Sequence, residues 1–178
     1  MKILLHACCG PCAIYPVRIL REDRMDVTGF FYAHNIHPYT ESLKRRQTLE
    51  AYAQQIDLHL ICPPDYDLEG FLQKIIFRES NRCMICYRER LTAAAHIARH
   101  GRFDGFTTTL LYSKFQKHDM IRDIGEAVGA SEGVPFYYKD FREGWKEGID
   151  ESKRLGLYRQ SYCGCIYSEK ERFFRPAK

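Results

Sequence analysis

Ile3-Leu4-Leu5-His6-Ala7-Cys8-Cys9-Gly10-Pro11-Cys12 sets three cysteines within five positions directly behind a short apolar run. Thiolates this close repel one another unless a metal or an oxidant takes up their charge, so the spacing argues for a cofactor site or for redox chemistry. The loop after a first strand is also where an α/β fold places its ligands. Here that loop presents sulfur.

Around this segment, 178 residues with 45% hydrophobic and 13% aromatic side chains can bury one full core, which predicts a single domain over 1–178. The apolar run after Met1-Lys2 is too short for a signal peptide, and no stretch approaches the roughly 18 uninterrupted apolar residues of a membrane span. The expected compartment is the cytoplasm, with no membrane partner. In a reducing cytosol, eight cysteines in three close groups and one lone residue read as metal ligands or catalytic thiols rather than a disulfide framework. A net charge of +4 permits a nucleic-acid partner without requiring one.

Strand and helix patterns alternate along the chain, with no long repeat or flexible linker. Ile3 to Ala7 reads as a buried strand and about Cys12 to Glu22 as a helix with Pro16 near its first turn. A second strand, Val27 to Ala33, leads into the polar loop Asn35-Ile36-His37-Pro38. Thr40 to Gln55 is an amphipathic helix whose basic face, Lys44, Arg45 and Arg46, is expected in solvent. Asp57 to Cys62 is a third strand ended by Pro63-Pro64, and Asp67 caps a helix running to Phe77. The second cysteine group, Cys83-Met84-Ile85-Cys86, opens a helix reaching Ala98, where the two thiols share one face of the first turn. Phe103 to Leu110 and Val134 to Tyr138 are further strands, and Gln116 to Val128 is a helix bounded by Gly129. A charged helix from Trp145 to Leu155 delivers the chain to Gly156-Leu157-Tyr158-Arg159-Gln160-Ser161-Tyr162-Cys163-Gly164-Cys165. The fold class is therefore α/β: one domain with a mostly parallel sheet of about five strands flanked by helices, Rossmann-like, with a metal loop after strand 1.

Three readings of the cysteines compete. Cys9-Gly10-Pro11-Cys12 matches the thioredoxin tetrad, but thioredoxin-like domains need a βα unit ahead of it, and only eight residues precede Cys9. A structural zinc site would take any two of the pairs and leave up to four cysteines unemployed. An iron–sulfur cluster fits the thiolate-only ligand supply, and if Cys8, Cys9, Cys83 and Cys86 held it, Cys163 and Cys165 would remain as a pair able to approach it. A disulfide in that Cys-x-Cys pair would close a small strained ring, so it reads as a reducible functional bond or a two-thiolate clamp for a second metal. Cys62 reads as an ordinary buried cysteine, whereas Cys12 stands between packing and a role in metal binding or redox chemistry.

His6 to Cys12, Cys83 to Leu91, Phe106 to Leu111 and Gly156 to Cys165 together resemble the motifs of the cobalamin-independent epoxyqueuosine reductases, over nearly the whole chain. The resemblance implies reductive deoxygenation of epoxyqueuosine to queuosine at the wobble position of the transfer-RNA anticodon, the last step of queuosine biosynthesis. It implies a 4Fe-4S cluster on Cys8, Cys9, Cys83 and Cys86. It implies a redox or metal-binding role for Cys163 and Cys165, with Cys12 a further candidate ligand if an additional iron ion is held. The implied partners are the epoxyqueuosine-containing transfer RNA and an electron donor of ferredoxin or flavodoxin type. The implied scaffold is that of the HUP nucleotide-binding proteins, with the phosphate loop converted into a metal loop.

A splayed wobble base needs an aromatic platform and basic contacts to flanking phosphates. Candidates are Tyr158, Arg159 and Tyr162 beside the second thiol pair, and Tyr112, Ser113 and Lys114 after the strand that carries Thr107-Thr108-Thr109 near its end; Asn35 and His37 in the polar loop read as pocket wall or proton donor, or as part of a turn shaped by Pro38. Arg172, Phe173, Phe174 and Arg175 either grip RNA or end a packed helix. Two rivals remain. A transfer-RNA sulfur-transfer enzyme needs an S-G-G-x-D-S phosphate loop where this chain has Ala7-Cys8-Cys9-Gly10-Pro11-Cys12, and a zinc-binding RNA-interaction module would hold zinc without iron or labile sulfide.

Overall fold

In the computed structural model, which describes residues 1–175, Lys2–Ala7 forms strand β1, and every residue of it after Lys2 is buried. Continuous burial, even of His6, marks a parallel strand covered on both faces. β1 pairs in parallel with β2, Asp26–Phe31, on one side and with β4, Gly105–Thr108, on the other, while β3, Leu60–Ile61, adds to β2. The sheet therefore has four strands in the order β3-β2-β1-β4. The strand order reverses between β1 and β4, and ligands of open α/β sheets collect at the carboxyl ends of the strands flanking such a reversal.

The expected fifth strand, Val134 to Tyr138, is reduced to one parallel bridge between Phe106 and Phe136. Pro135 has no N–H to continue the ladder, so the segment only accepts from Phe106 N at 3.0 Å and donates from Tyr137 N to Phe106 O at 2.8 Å. The third strand also shortens. Asp57 turns with φ 50° and Pro63-Pro64 follows closely, leaving only Leu60–Ile61 to pair. β4 stops at Thr108 because that hydroxyl accepts the Leu110 N–H at 3.1 Å and starts a tight turn over Thr109–Tyr112.

Helix α1 spans Gly10–Glu22, α2 Tyr39–Gln55, α3 Leu68–Ile75 and α4 Arg82–His100. α5 spans His118–Glu132, α6 Trp145–Arg154 and α7 Ile166–Phe173. α1 starts earlier than expected, so Pro16 lies in its second turn and denies the Cys12 carbonyl its usual helical donor. α5 runs past Gly129, which lets the helix approach Val134 closely, and ends instead at Gly133 with φ 71°. Asp67 caps α3 through the Gly70 N–H at 2.8 Å, as its position predicts.

α1 packs against α2 and α6, and α4 packs against β1, β4 and α5. Ala94, Ala95 and Ala98 let α4 sit close over β1 and β4, and one hydrophobic cluster joins them to Ile3, Leu4, Leu5, Phe30 and Phe106. Among the described residues no helix is long and apolar enough to cross a membrane.

Candidate metal centre

Cys8 leaves the carboxyl end of β1, Cys9 is the extended residue ahead of α1, and Cys12 lies in the first turn of that helix. The strand end and the helix start fold the three sulfurs to within 4.8 Å of one another, all buried. Among the described residues no other three Cys, His, Asp or Glu ligand atoms gather so closely. Cys8 and Cys9 Sγ are 3.9 Å apart. Hydrogen bonds from Cys12 and Cys9 hold the Cys8 thiol well below its ordinary pKa, while burial raises Cys9, and donation to Cys8 raises Cys12. Metal binding at these sulfurs would displace the protons they still carry.

Donors surround these sulfurs. Gln160 Nε2 donates to Cys9 Sγ at 3.0 Å and to Cys12 Sγ at 3.4 Å. Thr109, just beyond β4, accepts the Cys8 N–H at 3.3 Å through Oγ1 and donates to Cys8 Sγ at 3.6 Å. The contact spans the two strands where the sheet order reverses.

On α4, Cys83, Cys86 and Arg90 fall at i, i+3 and i+7, on one helical face. Asn35, fully buried in the loop after β2, donates its amide to Cys86 Sγ at 3.0 Å. Burial pushes the Cys86 thiol up to about 12, although Arg90 pulls against it. Arg90 is 2% exposed and its Nε has no partner among the described residues. Burial works against its charge, but the sulfurs of Cys86, Cys8 and Cys163 outweigh that cost and hold the guanidinium above its ordinary pKa. Arg90 also donates to His6 Nε2 at 3.4 Å. A guanidinium can only donate, so His6 accepts through Nε2 and offers Nδ1–H to Thr108 Oγ1 at 2.8 Å. Burial, with Arg90 second, lowers the His6 pKa to about 3, which keeps this ring neutral.

The third cysteine group is held from α2. The basic face of α2 was expected in solvent, yet Arg45 is 0% exposed. It pairs with Glu41 at 2.7 Å and donates to the carbonyls of Cys163 at 2.7 Å and Tyr162 at 3.0 Å, because the returning C-terminal segment covers it. Tyr158 donates to Glu41 at 2.6 Å with Lys44 over its ring, and Tyr162 donates to the His37 carbonyl. Cys163 itself is exposed, and Gln116 Nε2 donates to its Sγ at 3.2 Å. Cys165 lies against Ser168 Oγ at 3.7 Å.

Of the residues expected to meet substrate, Arg159 and Lys114 are exposed and Tyr158 and Tyr162 are half-buried. Tyr112 is packed between Tyr15 and Trp145 and donates to the Trp145 carbonyl at 3.0 Å. Asn35 faces sulfur rather than solvent. Phe173 ends α7 with its ring edge toward Tyr162, and Arg172, Phe174 and Arg175 are exposed. The sequence assigned no role at the sulfurs to Arg90, Gln116, Gln160 or Thr109; Arg90, Thr109 and Gln160 lie inside the quoted motif stretches, and Arg90 also follows Cys86 by four residues on one helix face.

The sequence model of "Epoxyqueuosine reductase QueH" matches residues 3–171. The chain belongs to this family. It is 36% identical to a QueH epoxyqueuosine reductase of Dehalococcoides mccartyi, over 98% of this chain and 96% of that protein. It is 35% identical to that of Thermotoga maritima, over 96% and 91% of the two chains, and 31% identical to that of Acinetobacter baylyi, over 96% and 81%. The epoxyqueuosine reductase motifs in this chain, His6 to Cys12, Cys83 to Leu91 and Gly156 to Cys165, thus hold the buried thiols, the Arg90 face and the exposed Cys163.

Proposed function

We propose that this chain reduces epoxyqueuosine to queuosine at the wobble nucleotide of a transfer-RNA anticodon. The observation that carries the reading is the buried Cys8, Cys9 and Cys12 group at the point where the sheet order reverses, in a chain of the QueH family. Its surroundings fit an anionic thiolate-held cofactor: amide N–H groups aim at sulfur, and the buried Arg90 Nε and Asn35 Oδ1 lack partners among the described residues. We assign Cys8, Cys9, Cys83 and Cys86 as ligands of a 4Fe-4S cluster, with Cys12 beside them. Such a cluster supplies electrons one at a time.

The reaction takes up two electrons and two protons, breaks the epoxide carbon–oxygen bonds, forms a carbon–carbon double bond and releases water. Cys163, exposed and aimed by Gln116, meets the substrate from solvent, and Arg45 fixes the backbone that carries it. Cys163 and Cys165 act at the epoxide, either as a dithiol that is oxidised to a disulfide or as the clamp of an additional iron. Arg159, Tyr158, Tyr162 and Lys114 line the approach of the RNA, while Asn35 and Tyr112 support the site from within. A ferredoxin- or flavodoxin-like carrier provides the electrons.

Iron, zinc and labile sulfide measured on anaerobically purified protein test the reading, together with reduction of epoxyqueuosine. About four sulfides with four or five irons per chain are expected, five marking the additional iron. Zinc alone would return the cysteines to a structural role and favour an RNA-binding module. Serine at Cys163 or Cys165 should abolish turnover and spare most of the cluster absorbance; loss of the whole cluster would refute this division of labour.

A further inference from the structure

The turn after β4 displays a ring that the site's own chemistry does not use. Ser113 O accepts the Gln116 N–H at 3.3 Å and Ser113 Oγ accepts the Phe115 N–H at 3.3 Å, which locks a four-residue turn with Lys114 and Phe115 at its corners. The base of the turn is anchored in the site. Gln116 accepts from the Tyr87 hydroxyl at 2.8 Å and donates to Cys163 Sγ at 3.2 Å. Phe115 is 84% exposed and touches Trp145 only edge-on, with ring centroids 5.5 Å apart, so a ring face is free.

Further exposed apolar side chains adjoin the cysteines: Met84 lies between Cys83 and Cys86, and Ile166 follows Cys165. Lys114 and Lys117, both exposed, flank Phe115 along the chain, and Arg159 is a further exposed cation on the segment that leads to Cys163. Single projecting rings among cations suit an unpaired RNA loop, whose bases stack on aromatic faces while its phosphates meet the charges. A protein partner would call for a contiguous apolar patch instead.

Resting on the reductase reading, we propose that Phe115 is the stacking platform for an anticodon-loop nucleotide beside the wobble position, with Lys114 and Lys117 on the flanking phosphates. The stack splays the loop where Cys163 is exposed and leaves the wobble base free to turn toward the thiols.

Binding of an anticodon stem-loop RNA to the iron-loaded protein, measured across a salt series, tests this. Phe115→Ala should weaken binding about tenfold, the worth of one stacked base, with the salt slope unchanged. Phe115→Trp should restore it and Phe115→Leu should not. The Lys114→Gln, Lys117→Gln double variant should instead flatten the slope by about 0.7 per lysine. Wild-type affinity in Phe115→Ala, or full affinity in Phe115→Leu, overturns the proposal. So does a defect confined to turnover driven by a protein electron donor, which would mark the ring as that partner's dock. A wild-type protein that binds the stem-loop without reducing epoxyqueuosine sinks the reductase reading alone.

Discussion

Arg90 shows how one side chain can organise three cysteine groups that are far apart in sequence. Its charge is buried beside Cys8, Cys86 and Cys163, its Nε has no partner among the described residues, and the neutral His6 ring that it meets is held in the accepting tautomer. The guanidinium and the sulfurs therefore support one another: Arg90 pulls the buried thiols toward ionisation, and they hold its charge in an environment that disfavours it. Arg90→Gln should raise the pH at which the metal-free protein shows thiolate absorbance by about one unit, since an opposite charge beside a thiol favours its ionised form. An unchanged ultraviolet titration would mean that the sulfurs do not feel the charge.

At the scale of elements, α2 acts as the clasp of the C-terminal segment. Arg45 spans Glu41 and the carbonyls of Tyr162 and Cys163 with a planar fork that lysine lacks. Arg45→Lys should speed hydrogen exchange at the amides around Cys163 about tenfold, the loss of one charge-assisted bond, as read by mass spectrometry. α5 carries a pH response. His118 opens that helix with its Nε2 on the Tyr138 hydroxyl at 3.0 Å and with no partner for Nδ1 among the described residues. Burial lowers its pKa from 6.5, Asp140 and Asp119 oppose the shift, and Arg142 and Arg122 favour it. The folded state therefore binds its proton less readily than the unfolded chain. The stability this contributes is present above pH 6.5 and is lost as the pH falls below it. Urea midpoints between about pH 7.5 and 5 should drop more for the wild type than for His118→Gln; parallel curves would contradict the assignment.

Over the whole molecule, stability and site share one strand. β1 contributes Ile3, Leu4 and Leu5 to the core and ends at the cysteines, so loosening the core displaces the thiols. Leu5→Ala, at a fully buried position, should lower unfolding free energy by about 3 kcal/mol in urea titration. Metal content should fall with it, whereas a stable variant would show that the sheet collapses around the deletion.

What could be read along the chain was what local pattern encodes. Unbroken apolar runs and alternating helix signals specify a parallel α/β sheet, Asp67 announces its cap, and the spacing of Cys8, Cys9 and Cys12 declares a sulfur site at a strand end. Only the tertiary structure decided which groups serve those sulfurs. Thr109 reaches Cys8 across 101 positions, Arg45 reaches Cys163 across 118, and Gln160 reaches Cys9 across 151. No periodicity reports contacts at such separations. The same holds for the burial of Arg45 and Tyr112, which would lie on solvated faces of their own segments until a distant one folds over them. A residue's own stretch of chain sets its backbone form; its charge, burial and partners come from the elements that the sheet order brings against it.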